Sequence, residues 1–373
     1  MRCSMKKKMV AIISNDHVWT YNLRREIIQA LLDNDYRVAV IVGYGDKIEN
    51  LKEMGCEFVD VPVDRHGMNP FHELSLIGKY SKALKHLDPD AVLTYTIKPN
   101  IYGGYVCGKH KIPYIANITG LGTVVENEGF IQKVVLKMLR AGLSRASTVF
   151  FQNTENMKFL KEKNVVRGHC DLLPGSGVNT THFSALPYPD DGTIHFVFIS
   201  RIMKEKGIDQ YLEAAIAIRE KYPDTCFHIC GFCEQAYEEK IAALSLKKIV
   251  RYHGMVDDVR EILKQTHCTV HPTYYPEGLS NVLLESSACA RPIITTDRPG
   301  CREVIENGVN GFIVKQKDGT DLIEKIEKFL HLTYEQKKEM GVRGRQKVEQ
   351  EFDRRLVVEK YLVAVSEITE KKK

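Results

Sequence analysis

The chain has 373 residues, more than one ordinary α/β core needs and about right for two. With 43% hydrophobic and 27% charged residues, and no repeat or low-complexity run, it excludes disordered, solenoid and collagen-like classes. The net charge of +5 is concentrated in the first 180 residues, which hold 24 lysines and arginines against 18 acidic residues; this suits a membrane surface or phosphate-bearing partner and lacks the basic stripe of a nucleic-acid binder.

From the N-terminus, residues 9–14 read as a buried strand, 22–33 as a helix with Leu23, Ile27, Ala30 and Leu31 on one face, and 36–42 as the next strand. Strands at 57–61, 91–95, 114–118 and 148–152 then alternate with helices over roughly 71–86, 100–110 and 130–144. A Pro/Gly/Asp-rich stretch from 173 to 192 reads as a hinge. Alternation restarts with strands at 194–199, 226–230, 249–253, 268–271, 293–295 and 311–314, separated by helices at 207–221, 235–245, 257–265 and 280–290. Single helices between strands predict a doubly wound parallel sheet in each half, so the expected fold class is α/β with two Rossmann-like domains facing across a cleft. The expected boundaries are 1–178, 179–352, and a C-terminal helix with a Lys-rich tail at 353–373 that returns to the first domain.

No apolar run reaches the roughly 18 to 20 residues that span a bilayer, and the run after the first lysines is too short for a signal peptide. Ten cysteines sit mostly inside apolar runs, as reduced cytoplasmic cysteines do. Cys226, His228, Cys230 and Cys233 are metal-ligand types, but strand alternation lays the first three in a flat row that cannot surround a tetrahedral ion, so no metal is expected. Asp33-Asn-Asp35 and Asp88-Pro-Asp90 have the Asp-x-Asp form of metal-dependent transferases; both precede strands and are read as turns.

The densest chemistry lies in PEGLSNVLLE, where Glu277 and Gly278 precede a helix opening near Ser280. Ser280 is an expected N-cap, and the N–H groups of Gly278, Leu279 and Ser280 suit a pyrophosphate. Glu285 falls in a helix of apolar and small residues, where a carboxylate needs a partner. Upstream, Arg201 and Lys206 sit in a loop after a strand, two cations able to clamp a diphosphate.

These residues resemble the signature of the retaining GT-B glycosyltransferases of family 4, over nearly the whole chain. The resemblance implies that Glu277 contacts the donor sugar, Glu285 the ribose, and that Arg201 and Lys206 bind the diphosphate and replace a metal, so no cofactor is implied beyond the nucleotide-sugar co-substrate, a UDP-sugar first. Gly254 and Met255 would present backbone to the base. The segments 175–183 and 298–311 resemble the family's boundary motif and closing loop. Residues 94–100 and 117–123 resemble a subgroup that builds capsular, lipopolysaccharide and N-linked glycans on polyprenyl-diphosphate carriers. That implies a lipid-linked glycan acceptor met by Lys98, Asn100, Gly120, Gly122 and His17, and residence in the cytoplasm, peripheral to the inner membrane face. Here His17-Val-Trp-Thr-Tyr-Asn22 departs from the Gly-Gly loop many relatives carry after the first strand. A helix over 131–143, with Lys133, Lys137 and Arg140 on one face, suits an anionic bilayer. The alternatives to a transferase are a sugar-nucleotide 2-epimerase of the same fold and a non-catalytic sugar-nucleotide-binding subunit. A dinucleotide-dependent oxidoreductase is disfavoured, because neither Gly43-Tyr-Gly45 nor Gly103-Gly104 completes the phosphate-binding glycine pattern.

Overall fold

The structure is a computed structural model that describes residues 7–64, 70–126 and 128–370. Its first strand, β1 (Met9–Ile13), is buried at every position, as a continuous apolar run in a parallel sheet must be. There follow α1 (His17–Asp33), β2 (Arg37–Val42), α2 (Ile48–Glu53), β3 (Glu57–Asp60), α3 (Pro70–Leu87) and β4 (Ala91–Tyr95). A π-helical turn, Pro99–Gly103, leads into α4 (Gly104–His110), then β5 (Tyr114–Ile118), α5 (Gly122–Glu126), α6 (Phe130–Leu143), β6 (Thr148–Phe151), α7 (Thr154–Glu162) and β7 (Cys170–Leu172). All pairings are parallel, in the order β3-β2-β1-β4-β5-β6-β7. The direction of winding reverses between β1 and β4, and beyond the carboxyl ends of two such strands an open sheet leaves room for a ligand.

The second sheet is built the same way. β8 (Ile194–Ile199), a 3₁₀ turn Lys204–Lys206, α8 (Ile208–Lys221), β9 (Thr225–Cys230), α9 (Gln235–Leu246), β10 (Val250–Tyr252), α10 (Val259–Lys264), β11 (Cys268–His271), α11 (Asn281–Ala288), β12 (Ile293–Thr296), β13 (Gly311–Val314), α12 (Gly319–Leu330) and α13 (Tyr334–Glu351) follow in turn. Its order, β10-β9-β8-β11-β12-β13, puts the reversal between β8 and β11.

The chain divides into two compact units, one ending at Ser176 and recovering the chain from Arg354, the other running Gly177–Asp353. The last helix, α14 (Arg354–Glu370), therefore belongs with the first sheet. Its Val357, Tyr361 and Val365 join the cluster formed by Val10, Ile12, Val38 and Leu93, and the Tyr361 hydroxyl donates to Asn117 Oδ1. Arg354 anchors its start, with Nη1 donating to Glu26 Oε2 at 2.9 Å. The terminal lysines 371–373 lie outside the described residues.

Three expectations need correction. The first helix starts at His17, not near 22, because Asp16 caps it: its carboxylate accepts from the Trp19 N–H at 2.7 Å. The passage between the units falls inside the stretch 173–192, at Ser176–Gly177, but the rest of the stretch is an ordered arm of the second unit: Val178 N–H donates to the Phe352 carbonyl at 2.9 Å, and Phe183 packs in its core. Buried Arg291 fastens the arm further on, donating to the Leu186 and Pro187 carbonyls at 3.3 and 2.7 Å. The segment over 100–110 opens as a π-helix because Asn100 is held from outside: Oδ1 accepts from Thr94 Oγ1 at 2.6 Å and Nδ2 donates to the Asn117 carbonyl at 2.8 Å.

Candidate active site

Arg201 and Lys206 follow β8, and Glu277 follows β11, so the two cations and the carboxylate meet at the reversal point of the second sheet. The Lys206 ammonium donates to Glu277 Oε1, with side chains only 11% and 17% exposed. The local backbone explains this meeting. Gly207 holds φ at +79°, and a Cβ there would stand 2.1 Å from the Pro272 carbonyl oxygen. Only glycine allows the 3₁₀ turn to lie directly on the loop after β11. Two bonds to the Glu205 carbonyl fasten it, from Tyr274 N–H at 2.9 Å and Thr273 Oγ1 at 3.3 Å.

Tyr275, which sequence reasoning passed over, supplies a wall. Lys206 Nζ lies 4.6 Å and the Arg201 guanidinium 5.9 Å from its ring centre, so one aromatic ring gathers both cations. Arg201 is otherwise exposed and has no carboxylate partner among the described residues. A second missed contributor is Gly300, at φ +89°, where a Cβ would meet the Gly278 carbonyl at 2.8 Å and Glu277 Cβ at 2.9 Å. The loop 298–303 thereby closes over the signature, with Arg298 Nε donating to the Tyr275 carbonyl at 3.1 Å and Gly300 N–H to Glu303 Oε2 at 2.8 Å. The run Arg-Pro-Gly was visible in the sequence; its target was not.

Ser280 departs from expectation. It stands at the N-cap position of α11, yet its hydroxyl makes no capping bond and pairs instead with His271 Nε2 at 3.3 Å. Its N–H donates to the Gly300 carbonyl at 2.8 Å, so it is not available to an anion. Leu279 turns its side chain into the apolar cluster of Leu283, Leu284 and Val304. Glu285 is partly buried on α11, flanked by buried Leu284 and Ser286. Gly254 and Met255 lie after edge strand β10, two strands from β8 and hence about 10 Å away at normal strand spacing. The Gly254 carbonyl accepts the Gly231 N–H at 2.8 Å, and Met255 is exposed.

His271 lies beneath these groups, 1% exposed, with Nδ1 unpartnered. Burial first, and then the Lys206 charge, pull its pKa down to about 3. A histidine neutral in the native state and titrating near 6.5 when unfolded gives stability that is complete above pH 6.5. As pH falls below that value only the unfolded chain takes up the proton, and stability drops by about 1.4 kcal/mol per pH unit towards pH 3. Melting temperatures from pH 8 to 5 should therefore fall less steeply in His271→Gln than in the native sequence, by one proton's worth of slope.

The first unit places its expected residues less uniformly. His17 and Lys98 follow β1 and β4 and so flank the reversal point of that sheet. His17 Nδ1 is 3.2 Å from Asp46 Oδ1, and its ring fills the space where Gly45 would carry a side chain. Lys98 is paired with Glu73 at 2.5 Å. Asn100 does not fit the expected role: it is 1% exposed and both ends of its amide are spent on Thr94 and Asn117, so it pegs β4 to β5 rather than meeting an acceptor. Gly120 and Gly122, at φ +140° and +69°, form the turn after β5. Both Asp-x-Asp runs are turns: Asp35 and Asp88 have positive φ, and Asp90 accepts from the Met9 N–H at 2.8 Å.

The cysteine-rich run has a different geometry from the flat row. Cys226 and His228 are joined by His195 of the neighbouring strand, while Cys230 and Cys233 pack in separate apolar clusters. His228, pulled down to about 3 by burial and then by the rings of His195 and His253, is neutral.

Two doubly wound parallel sheets in one chain, the second with paired cations and a carboxylate at its reversal point, define the GT-B class of fold. Solved structures agree. Anabaena HepE in complex with UDP and glucose superposes with a TM-score of 0.78 at 16% identity, covering 97% of this chain and all of that one. Sucrose-phosphate synthase from Thermosynechococcus elongatus gives 0.80 at 18%, covering 98% and 100%. Residues 9–153 match the family described as Glycosyl transferase 4-like, and residues 183–347 match Glycosyl transferases group 1. The N,N'-diacetylbacillosaminyl-diphospho-undecaprenol alpha-1,3-N-acetylgalactosaminyltransferase of Campylobacter jejuni is 26% identical over 342 residues, 86% of this chain and 89% of that protein. The capsular polysaccharide biosynthesis glycosyltransferase CapM of Staphylococcus aureus is 29% identical over 43% of each chain. The chain thus belongs to the group 1, 4-like glycosyltransferases, as its signature residues imply.

Proposed function

We propose that this glycosyltransferase moves a sugar, with retention of anomeric configuration, from a UDP-sugar to a polyprenyl-diphosphate-linked glycan during surface polysaccharide synthesis. The observation that carries the reading is the Arg201, Lys206 and Glu277 constellation on Tyr275. Two cations gathered by one aromatic ring offset the charge that grows on the departing diphosphate, and no divalent ion is needed for that step. Lys206 spends one of its three donors on Glu277 and keeps two for phosphate oxygens. Glu277, held in register by Lys206, meets the donor sugar while its anomeric carbon becomes cationic. The acceptor oxygen bonds to that carbon on the leaving-group face, the bond to the β-phosphate oxygen breaks, and a phosphate oxygen takes the hydroxyl proton.

For the acceptor, support comes from the name of the Campylobacter relative and from the surface of α6. There Phe130, Ile131 and Val134 are 81%, 52% and 40% exposed beside exposed Lys133, Lys137 and Arg140, a mixture suited to an anionic lipid surface. No helix among the described residues is long and apolar enough to cross a membrane. His17, Lys98, Gly120 and Gly122 are the proposed acceptor-side residues, and Glu285, Gly278 and Gly254 the proposed nucleotide contacts.

The test is a melting-temperature screen of UDP-, GDP- and ADP-sugars, followed by product analysis with a polyprenyl-diphosphate-linked acceptor. A donor at 100 times its Kd should stabilise the protein by about 2.7 kcal/mol. One UDP-sugar should do so, and its product should keep the donor's anomeric configuration in the presence of EDTA. An inverted product, or 2-epimerised nucleotide-sugar without acceptor, would overturn the reading.

A further inference from the structure

We propose that His195 Nδ1, His228 Nε2 and Cys226 Sγ bind one zinc ion that staples β8 to β9, with a water completing the tetrahedron. The three ligand atoms lie within 4.8 Å of one another, on residues 7%, 0% and 6% exposed. Sheet register produces the convergence: His195 pairs directly with Cys226 across the two strands, and His228, two residues on, projects from the same face. A row along one strand cannot enclose an ion, whereas two ligands from one strand and a third from its neighbour form a triangle. Tetrahedral zinc, with bonds of about 2.0 to 2.3 Å, sets its ligand atoms roughly 3.3 to 3.8 Å apart. The present separations, from 2.9 Å between the two imidazole nitrogens up to 4.8 Å, bracket that spacing.

The surroundings are those of a prepared site. Each ligating ring has its other nitrogen held by a partner: His195 Nε2 by Asp191 Oδ2 at 3.2 Å, and His228 Nδ1 by His253 Nε2 at 2.9 Å. Carboxylate and imidazole partners of this kind fix ring orientation and tautomer in metal sites. The His195 backbone N–H is bound by His267 Nδ1 at 3.1 Å, which holds the strand at that point. Hydrogen bonding along the histidine row accounts for the rings but not for Cys226, whose thiol has no partner among the described residues. Two neutral imidazoles and a thiolate favour a borderline-soft cation over magnesium or calcium. On binding, the thiol proton passes to solvent, the His228 proton moves from Nε2 to Nδ1 and donates to His253 Nε2, and the proton that His253 carried there moves to its Nδ1.

The ion lies away from the sugar-transfer residues. His195 is the second residue of β8 and Arg201 lies two beyond its end, so six residues of extended chain, about 20 Å, separate them. The metal is structural, and metal-independent transfer is compatible with it.

Chelator-treated full-length protein titrated with Co2+, then Zn2+, tests the site. One Co2+ per chain should bind with a thiolate-to-cobalt charge-transfer band, Zn2+ should displace it, and Zn2+ should raise the melting temperature. Cys226→Ser should abolish the band, and Cys230→Ser and Cys233→Ser should retain it. Asp191→Asn, at a side chain 58% exposed and outside the core, should weaken Zn2+ binding by about 10- to 100-fold. Absence of the band in the native sequence overturns the proposal whether or not the variants fold. So does an adventitious ion only, seen as binding unchanged by both Cys226→Ser and Asp191→Asn.

Discussion

Replacing Arg201 by alanine should slow sugar transfer by about 10²- to 10³-fold while leaving the melting temperature in place. The separation of the two effects follows from burial. Arg201 is exposed and its guanidinium stands 5.9 Å from the Tyr275 ring centre, near the outer limit of a cation-π contact, so the folded protein gains little from the side chain. Glu277→Gln should behave differently. Its carboxylate is the partner of a Lys206 that is 9% exposed, and removing one member of a buried pair costs about 3 to 5 kcal/mol because the other charge is left uncompensated. That variant should lose both transfer and stability. Lys206→Met should do the same, and the double variant Lys206→Met with Glu277→Gln should be more stable than either single one, since no lone charge remains. Rates and melting curves on the four proteins make a cycle whose coupling reads the pair directly. Wild-type transfer by Arg201→Ala would remove the diphosphate role; additive stability losses would remove the pairing.

What the sequence disclosed depended on how locally each feature is encoded. Strands such as 91–95, 114–118, 194–199 and 268–271 coincide with β4, β5, β8 and β11, because a strand covered on both faces must be an unbroken apolar run. β7 escaped notice because its three residues are only partly buried and carry no such run. Glu277, Arg201 and Lys206 were legible as chemistry within short contiguous motifs. That Lys206 selects Glu277, 71 residues on, was not, since this depends on the close approach at Gly207. Asn100 shows the opposite failure: the resemblance of residues 94–100 implied an acceptor contact, yet the amide completes the bonding between two buried strand ends. The His195 contribution to the histidine-cysteine group was hidden for a similar reason, since it comes from another strand 31 residues before Cys226 and only β-sheet register brings them together.

Gly207→Ala should cost both stability and sugar transfer. Two costs combine at this position. A left-handed φ of +79° costs an alanine about 1 to 2 kcal/mol, and the new Cβ would fall 2.1 Å from the Pro272 carbonyl, a backbone atom that cannot swing aside. The 3₁₀ turn must then lift from the loop after β11, stretching the bonds from Tyr274 N–H and Thr273 Oγ1 to the Glu205 carbonyl and drawing Lys206 off Glu277. A total near 3 kcal/mol would lower the melting temperature by about 6 to 12 °C for a unit of this size. Gly254→Ala supplies the control. Its φ of +68° carries the same conformational strain, but nothing lies within 4 Å of where its Cβ would stand. That variant should lose only about 1 to 2 kcal/mol. If the two alanines melt together, strain alone governs Gly207 and the close approach to Pro272 contributes nothing. If Gly207→Ala melts well below Gly254→Ala and also loses transfer, the glycine after Lys206 is there to press the cation-bearing turn against the carboxylate-bearing loop.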